Sequence, residues 1–328
     1  MQSFELLSQK FALHFEQRHF PAEPASLYEP NEYFLKMGGK RVRPILCLMG
    51  SELFDEIKED AWHAAVAIEL FHNFTLIHDD IMDKAPLRRG MPTVHSKYGA
   101  NTALLAGDAM LVTAYEHLNK ISPDHLPTIL RLFNTTAKQV CEGQQYDMDY
   151  AQRAPYGEKA ASVQFDEYLR MIELKTSVAL AASLKIGAIL GGAGERNQNL
   201  LYEFGKKLGI AFQVQDDYLD AFGDPEKFGK QVGGDILSNK KTFLLIHTLE
   251  VASVAQLKDL QDHLKNNASG KIEKVLQIFR DCKAGEWALE LKNKYLDEAF
   301  NHLEDIAVLS KRKEPLKELA HFLVKRDH

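Results

Sequence analysis

Apolar residues recur at three- and four-residue intervals along nearly the whole chain, the spacing that lays one stripe down the side of a helix. Two-residue alternation flanked by Asn-Gly or Asp-Gly turns is missing, so the pattern predicts an all-α fold without β-hairpins. A first amphipathic helix is expected over 3–18, after which Pro21, Pro24 and Pro30 break the chain and a short helix begins at 31 and stops at Gly38-Gly39. Further helices are predicted at 44–54, 60–83, 100–119 and 124–150, with a turn at Pro155-Tyr156-Gly157. Helical spacing resumes over 163–190 with Lys175-Thr176 at mid-course, breaks at Gly191-Gly192-Ala193-Gly194, runs on through 195–222, and returns as a series of helices over 239–327.

Two of these helices end against their own stability. The stripe through Ala64, Ala67, Ile68, Phe71, Phe74 and Leu76 delivers Asp79, Asp80 and Asp83 to a helix C-terminus, where the macrodipole favours cations instead. Asp79 and Asp83 share a face with Cβ atoms about 5–6 Å apart, and Asp80 is turned about 100° away. The helix over 195–222 repeats the arrangement in Phe212-Gln213-Val214-Gln215-Asp216-Asp217-Tyr218-Leu219-Asp220. One Asp-Asp-x-x-Asp is commonly a solvated helix end, but two on separate helices suit an acidic cage, and local conflicts of this kind mark functional sites. Asp108 is expected to be structural, and Asp147 and Asp149 solvated.

Composition narrows the chemistry. With 328 residues, 45% of them hydrophobic, the chain can bury a large core. A net charge of −6 gives no basic footprint for nucleic acid, so bound anions must meet local cations. Cys47, Cys141 and Cys282 lack metal-ligand spacing and read as free thiols of a reducing, cytoplasmic setting. The N-terminus, with Glu5, Lys10 and Glu16 in an amphipathic pattern, has no secretory layout. The longest apolar stretch, Thr176 to Gly194, carries Lys185 at its middle, which opposes membrane insertion and predicts a buried helix. Neither a Ser/His/Asp set nor His-x-x-x-His spacing stands out, and the run from Gly223 to Lys230 lacks the hydroxyl of a P-loop. All-oxygen acidic clusters suit magnesium, which binds through one or two carboxylates plus substrate phosphates. The cations Lys40, Arg43, Arg88, Arg89, Lys175, Lys230 and Lys240 exceed the needs of one diphosphate and point to two.

The ordered set Gly38-Gly39-Lys40-Arg41-x-Arg43-Pro44, Asp79-Asp80-x-x-Asp83 with Arg88-Arg89-Gly90, Lys175-Thr176, Phe212-Gln213-x-x-Asp216-Asp217-x-x-Asp220, and Gly229-Lys230 with Asn239-Lys240 resembles the trans-isoprenyl diphosphate synthases. That resemblance implies a single domain over 1–328, an antiparallel helical bundle around a deep central cavity, commonly a homodimer. It implies condensation of isopentenyl diphosphate with an allylic diphosphate (dimethylallyl, geranyl or farnesyl), assisted by about three magnesium ions with bound diphosphate. Asp79, Asp83 and Asp216 would carry the metal, with Asp80, Asp217 and Asp220 acting partly through water. Arg88, Lys175, Lys230 and Lys240 would hold the allylic diphosphate, and Lys40, Arg43, His72 and Arg89 the isopentenyl diphosphate. Thr176 and Gln213 would turn oxygen dipoles toward the allylic cation. Product length is expected from Phe74, Thr75 and the deeper Phe71. Similar synthases that stop at fifteen carbons carry two aromatics at the positions of Phe74 and Thr75, or an insertion within the first motif. One aromatic and no insertion imply mainly geranylgeranyl diphosphate, then farnesyl diphosphate, then a longer product. A terpene cyclase would show a different second metal motif, and a non-catalytic subunit would have lost acids or cations.

Overall fold

The computed structural model describes residues 1–153, 162–224, 232–265 and 270–325, so the turn expected at Pro155-Tyr156-Gly157 lies outside the described residues. The chain groups into two compact units. The first comprises Met1–Phe133, Ser183–Asn199 and Lys311–Pro315, and the second Asn134–Ala182, Leu200–Ser310 and Leu316–His328.

In the first unit the helices are α1 (Phe4–Phe15), α2 (Ala25–Lys36), α3 (Val42–Glu52), α4 (Glu59–Met82), α5 (Val94–Tyr98) and α6 (Ala100–Leu118). Ser3 caps α1 by accepting a hydrogen bond from the Leu6 N–H at 3.3 Å. The helix α4 is buried nearly all round, as a central helix must be, through Ala61, Ala64, Ala65, Val66, Ala67, Ile68, Leu70 and Phe71. Small residues let α6 approach it closely. At Gly107 of α6 an added Cβ would stand 2.3 Å from His78 Nε2 of α4, so the glycine makes room for the imidazole where it lies. The same economy explains the Ala/Gly-rich run near 187. A Cβ at Gly187 would meet the Cys47 carbonyl oxygen of α3 at 2.0 Å, and the segment is buried as expected. Lys185 donates to Asn199 Oδ1 at 2.6 Å.

Two expectations need correction here. The second helix starts at Ala25, not 31, and runs through Pro30. Pro30 costs one backbone hydrogen bond, offset by burying a face of Pro30, Asn31, Phe34 and Leu35. A small hairpin also exists: β1 (Leu87–Arg88) pairs with β2 (Met91–Pro92). Its turn is Arg89-Gly90, both at positive φ (53° and 77°), so an arginine stands where Asn or Asp would have advertised the turn.

The remaining helices are α7 (Leu126–Gln152), α8 (Phe165–Ile172), α9 (Val178–Leu190), α10 (Glu195–Phe222), α11 (Gly234–Leu237), α12 (Phe243–Val251), α13 (Val254–Lys265), α14 (Lys271–Asp281), α15 (Ala284–Glu304) and α16 (Ser310–Val324). Within the second unit, α12 packs on α8 and α15, and α14 on α11, α13 and α15. The helical run at 163–190 is not uniform: Glu173–Ser177 form a π-helical turn between α8 and α9. Glycines on two helices make room for this wider turn. A Cβ at Gly143 of α7 would lie 2.3 Å from the Lys175 backbone nitrogen, and one at Gly209 of α10 would lie 2.7 Å from Ser177 Cα. No helix among the described residues is long and apolar enough to cross a membrane.

Candidate active site

In the first unit the acids at the end of α4 divide into two kinds. Asp80 is 1% exposed and receives the Arg88 Nε–H at 3.0 and 2.9 Å on its two oxygens, with Arg88 Nη2 a further 2.9 Å from Oδ1. Asp79 is partly exposed, 3.8 Å from Arg88 Nη2, and Asp83 is exposed at the helix C-cap. The hairpin thus folds Arg88 back onto the middle acid of the motif. Arg89 lies against the Gly38-Gly39 turn, where a Cβ at Gly39 would stand 2.7 Å from Arg89 Nη2. The Arg89 tip could swing away from such a Cβ, so it is the backbone at Gly39, with φ at 142°, that favours glycine here.

The basic residues of this unit converge. Arg43 Nη1 donates to His72 Nε2 at 3.1 Å, and exposed Lys40 follows the Gly38-Gly39 turn. Burial, then the positive charges of Arg43, Arg89, Arg88 and Arg41, hold the His72 imidazole well below its usual range. It is neutral at pH 7 and accepts at Nε2, which leaves its proton on Nδ1. Burial also lowers Arg43 to about 10, opposed by Glu69, and the guanidinium keeps its charge. Arg41, one of the cations of the Gly38–Pro44 motif, pairs with Glu69, and Asn73 Nδ2 donates to Glu69 Oε1 at 2.6 Å; neither Glu69 nor Asn73 stands out in the helical pattern.

Phe74 and Phe71 belong to an aromatic series. Ring centroids are 5.9 Å apart for Phe71–Phe74, 5.1 Å for Phe71–Phe133 and 5.4 Å for Phe133–Tyr115. Phe74 also meets the His78 ring edge-on at 4.8 Å. Thr75 donates its hydroxyl to the His72 carbonyl at 2.8 Å and is partly exposed. Asp108, expected to be structural, is instead 59% exposed, 3.8 Å from His78 Nε2.

The second unit repeats the division of acids at the end of α10. Asp217 is 3% exposed and accepts hydrogen bonds from Gln213 Nε2 (2.9 Å), Tyr168 Oη (3.1 Å) and the Phe243 N–H (3.0 Å). Burial is the largest influence on its carboxyl and pushes it up to about 7, against the pull of Gln213 and Phe243. Asp216 and Asp220 are partly exposed. Asp220 Oδ2 accepts the Asp235 N–H at 3.0 Å, and Asp235 in turn lies 3.4 Å from Lys240 Nζ. Lys175 and Thr176 stand on the π turn, and Lys175 Nζ is 2.5 Å from Asp147 Oδ2. Asp147 keeps 41% of its side chain in solvent, as expected, and also pairs with Lys175, an ion pair across 28 positions of chain that leaves no trace in local spacing. Asp149 is exposed and accepts the amide of a helical neighbour, Gln145, at 2.8 Å. Lys230 and Gly229 lie outside the described residues.

The donor chemistry fits magnesium. Each motif presents two outer carboxylates, and no group of three or more His, Cys, Asp or Glu side chains is pre-assembled as a metal cage among the described residues. An ion that takes one or two carboxylates and completes its shell with water and substrate phosphate suits such a set. Tyr168 and Asp235 hydrogen-bond to Asp217 and Asp220 and carry no motif of their own, so local spacing does not mark them.

The chain matches the Polyprenyl synthetase family over residues 24–282. It is 38% identical over 309 residues to the geranylgeranyl pyrophosphate synthase of Geoglobus acetivorans, covering 93% of this chain and 92% of that one. A crystal structure of a geranylgeranyl pyrophosphate synthase superposes with a TM-score of 0.92 at 42% identity, covering 99% of both chains. The geranylgeranyl pyrophosphate synthetase from Pyrococcus horikoshii gives 0.88 at 33% identity, over 98% of this chain and 95% of that one. The family match over residues 24–282, the predominantly helical fold and likeness along nearly the full length place this chain in the polyprenyl synthetase family, as a prenyltransferase.

Proposed function

We propose that this prenyltransferase condenses isopentenyl diphosphate with dimethylallyl, geranyl and farnesyl diphosphates and releases mainly geranylgeranyl diphosphate. We take it to do so as a single catalytic domain over 1–328. The observation that carries the reading is the matched division of acids: in each motif the middle aspartate is buried and hydrogen-bonded while the outer two stay partly or fully exposed. The outer acids Asp79, Asp83, Asp216 and Asp220 would hold magnesium, with Asp80 and Asp217 fixing their helix ends. Magnesium, when bound, supplies positive charge that lets a diphosphate depart as a stabilised anion. Arg88, Lys175, Lys230 and Lys240 add cations for that leaving group. Oxygens of Thr176 and Gln213 face the allylic cation, the Gln213 amide being oriented by its bond to Asp217. Lys40, Arg43, His72 and Arg89 hold isopentenyl diphosphate so that its double bond meets that cation, and proximity lowers the barrier. The departing diphosphate takes the final proton.

The product assignment is supported by a single aromatic, Phe74, paired with the small Thr75. A homodimer is supported by the outward face of α6, where Leu104, Leu105 and Val112 are 49%, 58% and 60% exposed. Free Cys47, Cys141 and Cys282 fit a reducing cytoplasm. The test is to incubate the protein with each allylic primer, labelled isopentenyl diphosphate and magnesium, and to measure product chain length. Twenty-carbon diphosphate as the main product supports the proposal. Cyclised hydrocarbon, or no incorporation of label, overturns it.

A further inference from the structure

We infer that Glu69 is a positioning residue for isopentenyl diphosphate, a buried latch that holds Arg41, the N-cap of α3, and through it Lys40 on the preceding loop and Arg43 in the first turn of α3. The inference rests on the assignment of that loop to isopentenyl diphosphate. Glu69 is 2% exposed, and a buried carboxylate is costly unless paired. Arg41 pairs with it through Nη1 and donates Nη2 to the Leu35 carbonyl at 2.9 Å, so one guanidinium joins α4 to the end of α2. Asn73 donates to both the backbone and the carboxylate of Glu69 at 2.6 Å, which fixes the rotamer. The loop itself is poorly determined by local preference: Gly38, Gly39 and Arg41 all have positive φ (75°, 142° and 49°). For Arg41 that conformation is strained, and it persists because the side chain is anchored. Directly beyond the anchor, Arg43 reaches His72.

The sign of the charge separates latch from bystander. A carboxylate beside Arg41, Arg43 and Arg89 opposes anion binding by simple Coulomb repulsion, so removing it without a positioning role should tighten the diphosphate. Loss of a latch weakens it instead. The test is steady-state kinetics of Glu69→Gln, Arg41→Gln and the double variant, with helix content measured in each. The expected result is a rise of about ten-fold in KM for isopentenyl diphosphate in either single variant, with kcat and the allylic KM within about two-fold. The double variant should be no worse than the worse single, because both break one contact. An unchanged or lowered KM in Glu69→Gln overturns the inference. Where Glu69→Gln does not fold, Glu69→Asp keeps the charge and shortens the anchor. It should give the same selective rise, and an unmoved KM there overturns the latch. Lys40→Ala and Arg43→Gln report on the underlying assignment. If they raise this KM and the Glu69 variants do not, the latch alone fails. If they leave it unmoved, the assignment fails and the latch with it.

Discussion

Asp79 and Asp80 are chemically identical neighbours with opposite fates, because a 100° step around α4 turns one outward and the other into Arg88. Substitutions should separate these roles. Asp79→Ala, Asp83→Ala or Asp216→Ala is expected to lower kcat by orders of magnitude while the urea midpoint stays near wild type. Asp80→Ala, which strips Arg88 of its acceptor, should cost about 1–3 kcal/mol of stability in the same titration. Turnover within a few-fold of wild type in Asp216→Ala would sink the two-motif reading. Product length belongs to this scale as well. Phe74 lies about 7.5 Å up the axis from Asp79. Phe74→Ala should lengthen the product, and Thr75→Phe should shorten it toward fifteen carbons, as read by chromatography of the dephosphorylated alcohols. An unchanged distribution in both folded variants would place the limit on product length elsewhere.

At the scale of the element, the π turn at Glu173–Ser177 is the departure that matters, since it carries Lys175 and Thr176. Turns of this kind interrupt α-helices frequently at functional sites, and here Gly143 and Gly209 supply the space. Gly143→Ala would drive a methyl group to within 2.3 Å of the Lys175 nitrogen. The expected consequence is a loss of about 1–3 kcal/mol in stability and a lower kcat/KM. A fully stable and active Gly143→Ala enzyme would mean that the turn yields without effect. Helical periodicity announces none of this, because a π turn adds one residue without changing which residues are apolar.

For the molecule as a whole, acid stability and assembly are the measurable properties. His117 is 8% exposed, its ring 6.0 Å from His19 and 6.1 Å from His63. Burial, then the charges of Lys120, His19, His63 and His14, lower it from 6.5 to about 3. Between those values the unfolded chain binds the proton and the folded one does not. The contribution to stability is therefore present above pH 6.5 and lost as pH falls toward 3. His117→Gln should flatten the acid limb of the melting-temperature profile, and a limb of unchanged slope would remove His117 from the account. Assembly is tested on α6: Leu105→Glu with Val112→Glu should yield a monomer by light scattering. A dimer of unchanged mass would clear that face of the role.

The amino-acid sequence alone determined the helical class, because a stripe at 3.6-residue spacing can be buried in no other way. It also determined the paired acidic motifs, since carboxylates at helix C-termini oppose the macrodipole and need a reason to be there. Only the tertiary structure decided which acid of each motif is buried, which carboxylate meets Lys175, and how Arg41 is held. Those outcomes depend on groups brought together from distant parts of the chain, Asp147 to Lys175 and Tyr168 to Asp217 among them. Local spacing carries no record of such pairings. They follow from how closely helices approach, which is set by single glycines such as Gly187 and Gly143 whose backbone partners are known only once the chain has folded.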